Sequence, residues 1–135
     1  MSLITSTQLD DFLPHRPPFI MVSELLAHSK ETARARLKIS EDNVLLEGNL
    51  FSEAGLLEFM AQTLALHSGY LAKNSNGETN VVGVIGAVKK FEVSQLPKVG
   101  ETIYCDINIL SEFMSMTLAV ASVYDINETL VAKAE

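Results

Sequence analysis

Glu58 stands in the run Leu56-Leu57-Glu58-Phe59-Met60-Ala61-Gln62, a lone carboxylate among apolar side chains. Gln62 lies four positions on and projects from the same face of a helix. Ala65 and Gly69 continue that stripe and leave room beside it. A carboxylate in such surroundings costs several kcal/mol unless it is paired or protonated. Kept protonated, it is suited to donate a proton as a general acid. The structural alternative is a carboxylate that caps a loop or pairs with Arg16. His15, in a proline-rich run, is a candidate base; its alternative is a histidine that fixes a turn by hydrogen bonding. Lys89 and Lys90 form the strongest local basic pair of an acidic chain. They are either a docking patch for an acidic partner or a solvated strand face, and Arg34, Arg36 and Lys38 carry the same ambiguity.

Other residues that could do chemistry are set aside. His67 follows Glu58 by about two and a half helical turns, too far along the axis to share a site, and reads as a satisfied core or interface histidine. His28, near a turn, is expected to be exposed. The single cysteine, Cys105, sits in an alternating apolar run and reads as a buried structural thiol. The histidines are scattered and lack cysteine partners, so no metal site is expected, and no cofactor is implied.

A long helix must position Glu58. Ser52 can cap it and Glu53 suits its first turn, so a helix is predicted over Glu53 to about Lys73. Apolar residues lie nearly all round it, which predicts burial on most sides. Before it, Thr7 to Phe12 reads as a short helix begun by Ser6 or Thr7, and LPHRPPF (Leu13 to Phe19) as an extended or turning segment. Ile20 to Ala27 reads as a strand. Thr32 to Ile39 alternates as a half-solvated strand, and Glu41 to Phe51 is a loop punctuated by Gly48-Asn49. After the helix come a turn-rich exit at Asn74 to Glu78 and a strand from Val81 to Val93, with a bulge or close approach at Gly83 and Gly86. Strands over Thr102 to Leu110 and Phe113 to Tyr124, a turn at Asp125 to Glu128, and a last strand from Leu130 complete the chain. Ile103, Cys105, Ile107 and Ile109 form one inward face. Met114 and Met116 are read as core or acyl-tunnel lining. A helix set against an antiparallel sheet is an α+β arrangement, and a helix buried on most sides is one that the sheet wraps.

The 135 residues make one domain, 1–135, large enough to hold a core without staples. The net charge of −7 disfavours nucleic acid, which needs clustered Lys and Arg. No window is apolar enough to span a membrane, and Met1 to Asp10 lacks the features of a signal peptide; a cytoplasmic location is the expectation. The mean hydropathy of +0.21 is high for a small monomer and is read as apolar surface shared between subunits or as a large core.

Several segments together resemble a known family. LPHRPPF with Val22, LEFMAQ at Leu57 to Gln62, VKKF at Val88 to Phe91 and LPKVG at Leu96 to Gly100 are similar, in order, to segments of the FabZ-type 3-hydroxyacyl-[acyl-carrier-protein] dehydratases. The resemblance implies a hotdog fold, an antiparallel sheet around one central helix, with Glu58 as the catalytic glutamate. That family carries a glycine-histidine pair before the helix, the histidine being its base; here the place reads Gly48-Asn49, and Asn49 cannot abstract a proton at neutral pH. The pattern resembles the divergent ApeP-like branch associated with aryl-polyene biosynthesis, which implies work beside a second hotdog subunit.

Loss of water from a 3-hydroxyacyl thioester needs a base for the C2 proton, an acid for the hydroxyl, and a donor at the thioester oxygen. The resemblance thus implies a dehydratase in fatty-acid or aryl-polyene-type biosynthesis. Glu58 is the acid, or acts alone as base and then acid through one water, with His15 the other candidate base. Gln62 orients it, Asn49 and Gly55 line the substrate site, and the backbone N–H of Gly55 is a candidate donor. Lys89 and Lys90 meet an acyl carrier protein. A homodimer or higher oligomer, or a heteromer with a second hotdog protein, is expected, with a narrow apolar tunnel at the interface. Two rivals stand beside it: a non-catalytic hotdog subunit partnering an active dehydratase, favoured by Asn49, and an acyl-thioester hydrolase on the same fold.

Overall fold

Alternating apolar residues make Thr32–Lys38 and Thr102–Phe113 paired neighbours in the molecule's main sheet. In the computed structural model, which describes residues 2–13, 15–73, 87–113 and 116–135, the strands are β1 (Glu24–His28), β2 (Thr32–Lys38), β3 (Leu46–Glu47), β4 (Leu50–Phe51), β5 (Glu92–Val93), β6 (Thr102–Phe113), β7 (Met116–Tyr124) and β8 (Leu130–Ala134). One helix, α1, spans Glu53–Lys73 as predicted, and a 3-10 helix spans Ser6–Asp11. The main sheet runs β1-β2-β6-β7-β8-β5, all neighbours antiparallel, and β3-β4 form a separate hairpin. The sheet packs around α1, chiefly through β2 and β6. This is the hotdog fold.

Facing residues on the inner side of the sheet alternate small and large. Ala33 lies opposite Ile107, Ala35 opposite Cys105, and Ile107 in turn opposite Ala121. Against them α1 buries Leu56, Phe59, Met60, Thr63, Leu66 and His67, one stripe at helical spacing. Leu57, Ala61 and Leu64 on the other side are only partly covered, so burial on most sides is not reached within the single chain.

Several expectations need correction. The short N-terminal helix is 3-10 and begins after Thr5, whose N–H donates to Gln8 Oε1 at 3.0 Å. The strand expected over Ile20 to Ala27 begins only at Glu24, because residues 20–23 cross α1 and the N–H of Met21 finds a side-chain acceptor there instead of a strand. The loop from Glu41 contains the β3-β4 hairpin, with Gly48 at φ 65° in its turn. The inward face of β7 is carried by Ala121 and Val123, not by the methionine series. Pairing of Ala121 with Ile107 and Val123 with Cys105 fixes that face, and a one-residue choice of face turns every side chain over. Met116 is consequently 76% exposed and Leu118 41% exposed; Met114 lies outside the described residues. So do the exit loop at Asn74 to Glu78 and residues 81–86, with Gly83 and Gly86. In the described remainder of that expected strand only Glu92–Val93 is a strand.

The remaining turns follow their sequences. Asp125 Oδ1 accepts the N–H groups of Asn127 and Thr129 at 2.9 and 3.0 Å, closing the turn into β8. Cys105 is buried, and burial pushes its thiol up to about 12, which makes it inert.

Candidate active site

The site begins at the start of α1. Ser52 is the cap: its Oγ accepts the N–H of Gly55 at 3.1 Å and its carbonyl accepts that of Leu56 at 3.0 Å. Gly55 is required by a close approach, since a Cβ there would lie 2.5 Å from the ring of Phe51. The wedge of Phe51 against Gly55 joins the β3-β4 hairpin to the helix. One turn further, Glu58 emerges with its side chain 42% exposed. It is therefore at the surface of this chain rather than enclosed, as its apolar sequence neighbours suggested.

Gln62, one turn beyond Glu58, is fully buried, and a buried amide must find partners for both ends. Its Oε1 accepts the N–H of Met21 at 2.7 Å, and its Nε2 donates to the carbonyl of Phe19 at 2.9 Å. The remaining N–H of the amide reaches Glu58 Oε1 at 3.4 Å, a long contact. Gln62 thus binds the segment 19–21 to the helix and touches the carboxylate with what is left. The spacing of Glu58 and Gln62 was legible in sequence; the clamp on residues 19–21 was not, although a glutamine inside an apolar helical stripe is itself a signal that a backbone segment must cross there.

His15 belongs to that crossing segment. Its Nε2 lies 4.0 Å from Glu58 Oε1, and its side chain is 30% exposed. Its Nδ1 is buried and has no hydrogen-bond partner among the described residues. Arg16 does not pair with Glu58: its Nη1 donates to the carbonyls of Leu13 and His15, each at 2.8 Å, and so clips the backbone around His15. The turn is completed by the N–H of Phe19, which donates to the carbonyl of Arg16 at 2.9 Å.

The other predicted residues fall elsewhere. Asn49 is exposed at the tip of the β3-β4 hairpin, where its carbonyl accepts the N–H of Val99 at 2.8 Å. Among the described residues no hydrogen bond joins it to Glu58. The N–H of Gly55, predicted as a donor to a thioester oxygen, is instead engaged by Ser52, and the glycine serves packing. Lys89 and Lys90 are exposed; Lys90 Nζ lies 3.8 Å from Glu135 Oε2, and Lys89 exchanges backbone hydrogen bonds with Glu135 at 2.6 and 2.9 Å. His67 is a satisfied core residue, its Nε2 donating to the carbonyls of Ser29 and Lys30 at 3.0 Å. His28, expected to be exposed, is half-buried and stacked on His67, ring centroids 4.7 Å apart. An open depression of about 430 Å³ beside the start of α1 is lined by residues including Leu46, Ser52, Ala54 and Leu96, but not by Glu58.

Among the described residues no group of His, Cys, Asp and Glu could hold a metal ion, and no helix is long and apolar enough to cross a membrane.

Residues 7–135 match the model of the ApeP-like family, described as ApeP dehydratase. A search of curated proteins returned no match. Among solved structures, the dehydratase heterocomplex ApeI:P from Xenorhabdus doucetiae is similar at a TM-score of 0.77 and 19% identity, over 93% of this chain and 86% of that one. Zebra fish thioesterase superfamily member 2 is similar at a TM-score of 0.71 and 16% identity, over 98% and 95%. The smu.793 protein of Streptococcus mutans UA159, bound to acetyl CoA, is similar at 0.63 and 15%, over 82% and 81%. At these identities the likeness to solved structures shows the fold.

Proposed function

The chain belongs to the ApeP-like dehydratase family, and we propose that it removes water from a 3-hydroxyacyl group carried on an acyl carrier protein, giving the 2-enoyl thioester. The observation that carries this reading is Glu58, a half-exposed carboxylate held beside a fully buried glutamine on the central helix. In this reading Glu58 donates a proton to the leaving hydroxyl at C3. Gln62 orients the carboxyl through the 3.4 Å contact, leaving one carboxyl oxygen free to meet substrate. The thioester oxygen takes its hydrogen bonds from groups other than the Gly55 N–H. Asn49, exposed at the hairpin tip, contacts the substrate or carrier without taking a proton. Lys89 and Lys90 steer the acidic carrier, with Lys89 the freer cation of the two.

Assembly with further hotdog subunits is part of the proposal. The partly covered stripe of Leu57, Ala61 and Leu64 supports it, because an apolar helix face in a small domain is a docking surface. The heterocomplex in which ApeI:P was solved supports a second hotdog protein as one partner.

The test is turnover of a 3-hydroxyacyl-[acyl-carrier-protein] followed by mass spectrometry, with the chain alone and beside a second hotdog subunit. Loss of one water from the acyl group, reduced about 100-fold or more in Glu58→Gln, is the expected result. An unchanged substrate in both arrangements sinks the dehydratase reading. Release of a free thiol without enoyl product would assign the chain to acyl-thioester hydrolysis instead.

A further inference from the structure

Resting on the dehydratase reading, we propose that His15 is the base that takes the C2 proton, so that one chain supplies both the acid and the base of the reaction. Three features of the geometry lead to it.

The first is position. His15 Nε2 lies 4.0 Å from Glu58 Oε1. That is beyond a direct hydrogen bond and leaves each atom free to address a different group of one small substrate. The groups that react sit on adjacent carbons, the proton to be taken on C2 and the hydroxyl to be protonated on C3, so acid and base must converge from neighbouring points. Both side chains are part-exposed, at 30% and 42%.

The second is the way His15 is held. The backbone around it is fixed on one side by Arg16, whose Nη1 donates to the carbonyls of Leu13 and His15. On the other side Gln62 binds Phe19 and Met21. Gln62 is therefore a positioning residue for both partners: the same amide that ties down the His15 segment also touches Glu58. The third feature is the imidazole itself. Among the described residues no hydrogen bond uses its Nε2, and its Nδ1 is buried without a partner. A histidine that served only to fix the turn would have a ring nitrogen bonded to the backbone, as His67 has.

The step balances within the pair. The Nε2 lone pair takes the C2 proton, and the electrons of that C–H bond form the C2=C3 double bond. The C3–O bond breaks as Glu58 gives its proton to the hydroxyl, which leaves as water. The pair ends as imidazolium and carboxylate, and return of the proton from His15 Nε2 to Glu58 through one water restores the starting state.

The experiment uses the full-length protein, with two readouts. One is dehydration of a 3-hydroxyacyl-[acyl-carrier-protein]. The other is deuterium exchange at C2 of the corresponding saturated acyl-[acyl-carrier-protein], which asks for a base and no acid. His15→Gln is expected to lower kcat for dehydration about 10²- to 10⁴-fold with KM little changed, and to slow exchange in parallel. Glu58→Gln is expected to stop dehydration and leave exchange. Added imidazole is expected to restore dehydration to His15→Gly, which a purely structural histidine would not permit. Full dehydration by His15→Gln overturns the assignment while the dehydratase reading stands. So does exchange that is lost in Glu58→Gln and kept in His15→Gln, which would make Glu58 the base. A slow His15→Gly that imidazole leaves slow also overturns it. A wild-type protein inert in dehydration, alone and with a second hotdog subunit, removes the dehydratase reading and this assignment with it.

Discussion

The N–H of Met21 donates to the side-chain oxygen of Gln62 at 2.7 Å, so a backbone group of the crossing segment is satisfied by the central helix. Met21 is itself fully buried, and water cannot replace the lost acceptor. Gln62→Leu is expected to destabilise the fold by about 1–3 kcal/mol for each backbone group left unpaired. It should also lower turnover by loosening His15. Gln62→Glu keeps the acceptor for Met21 but loses the donor to Phe19 and buries a second carboxylate beside Glu58, so it should impair turnover at a cost in stability at least as large as that of Gln62→Leu. Urea unfolding and the dehydration assay, run on both variants, check the order.

Gly55→Ala places a methyl group where the Phe51 ring already sits. Overpacking of that kind costs about 1–3 kcal/mol. Contact residues couple, so Phe51→Leu combined with Gly55→Ala should cost less than the two single changes added together. Additive losses in a denaturation series would show that the ring and the glycine do not press on one another.

His28 makes stability depend on pH. Burial lowers its pKa from the ordinary value of 6.5, and the charge of neighbouring His67 acts in the same direction, against the raising effect of the His67 carbonyl. The ring is faced by His67 in the stack and by Tyr70, its centroid 4.7 Å away. Because the folded protein binds the proton less readily than the unfolded chain, this contribution is whole above about pH 6.5 and is lost as pH falls through that value toward the lower folded one. Chemical denaturation at about pH 7.5 and about pH 5 should show the loss, and His28→Phe should flatten the part of the slope that His28 carries. A slope unchanged in the variant would place it on other groups.

The central helix was readable because its signals are local: Ser52 caps, Glu53 suits the first turn, and the apolar stripe has helical spacing. β2 and β6 were readable because only one of their faces is apolar. β7 was not, since Met116, Leu118 and Val120 on one side compete with Ala119, Ala121 and Val123 on the other, and the choice is made by pairing with β6. The site divides in the same way. Glu58 and Gln62 stand four apart on one helix and announce each other. The approach of His15 to Glu58 depends on a chain crossing that no local spacing encodes, and the identity of Arg16's partners depends on a turn it closes itself.

Phe19 and Met21 are hydrogen-bonded to the helix through the one amide of Gln62, and the guanidinium of Arg16 clips only its own segment, at Leu13 and His15, whereas Glu58 is anchored in α1 and the sheet behind it. The two halves of the site thus belong to regions of unequal opening free energy. Amide hydrogens of the crossing segment would exchange with solvent through a partial opening that leaves the sheet intact. Mild denaturant would accordingly silence the protein while its far-ultraviolet dichroism still reported a native fold, and a ligand bridging the two halves would slow exchange at Met21 before it altered any residue of β6.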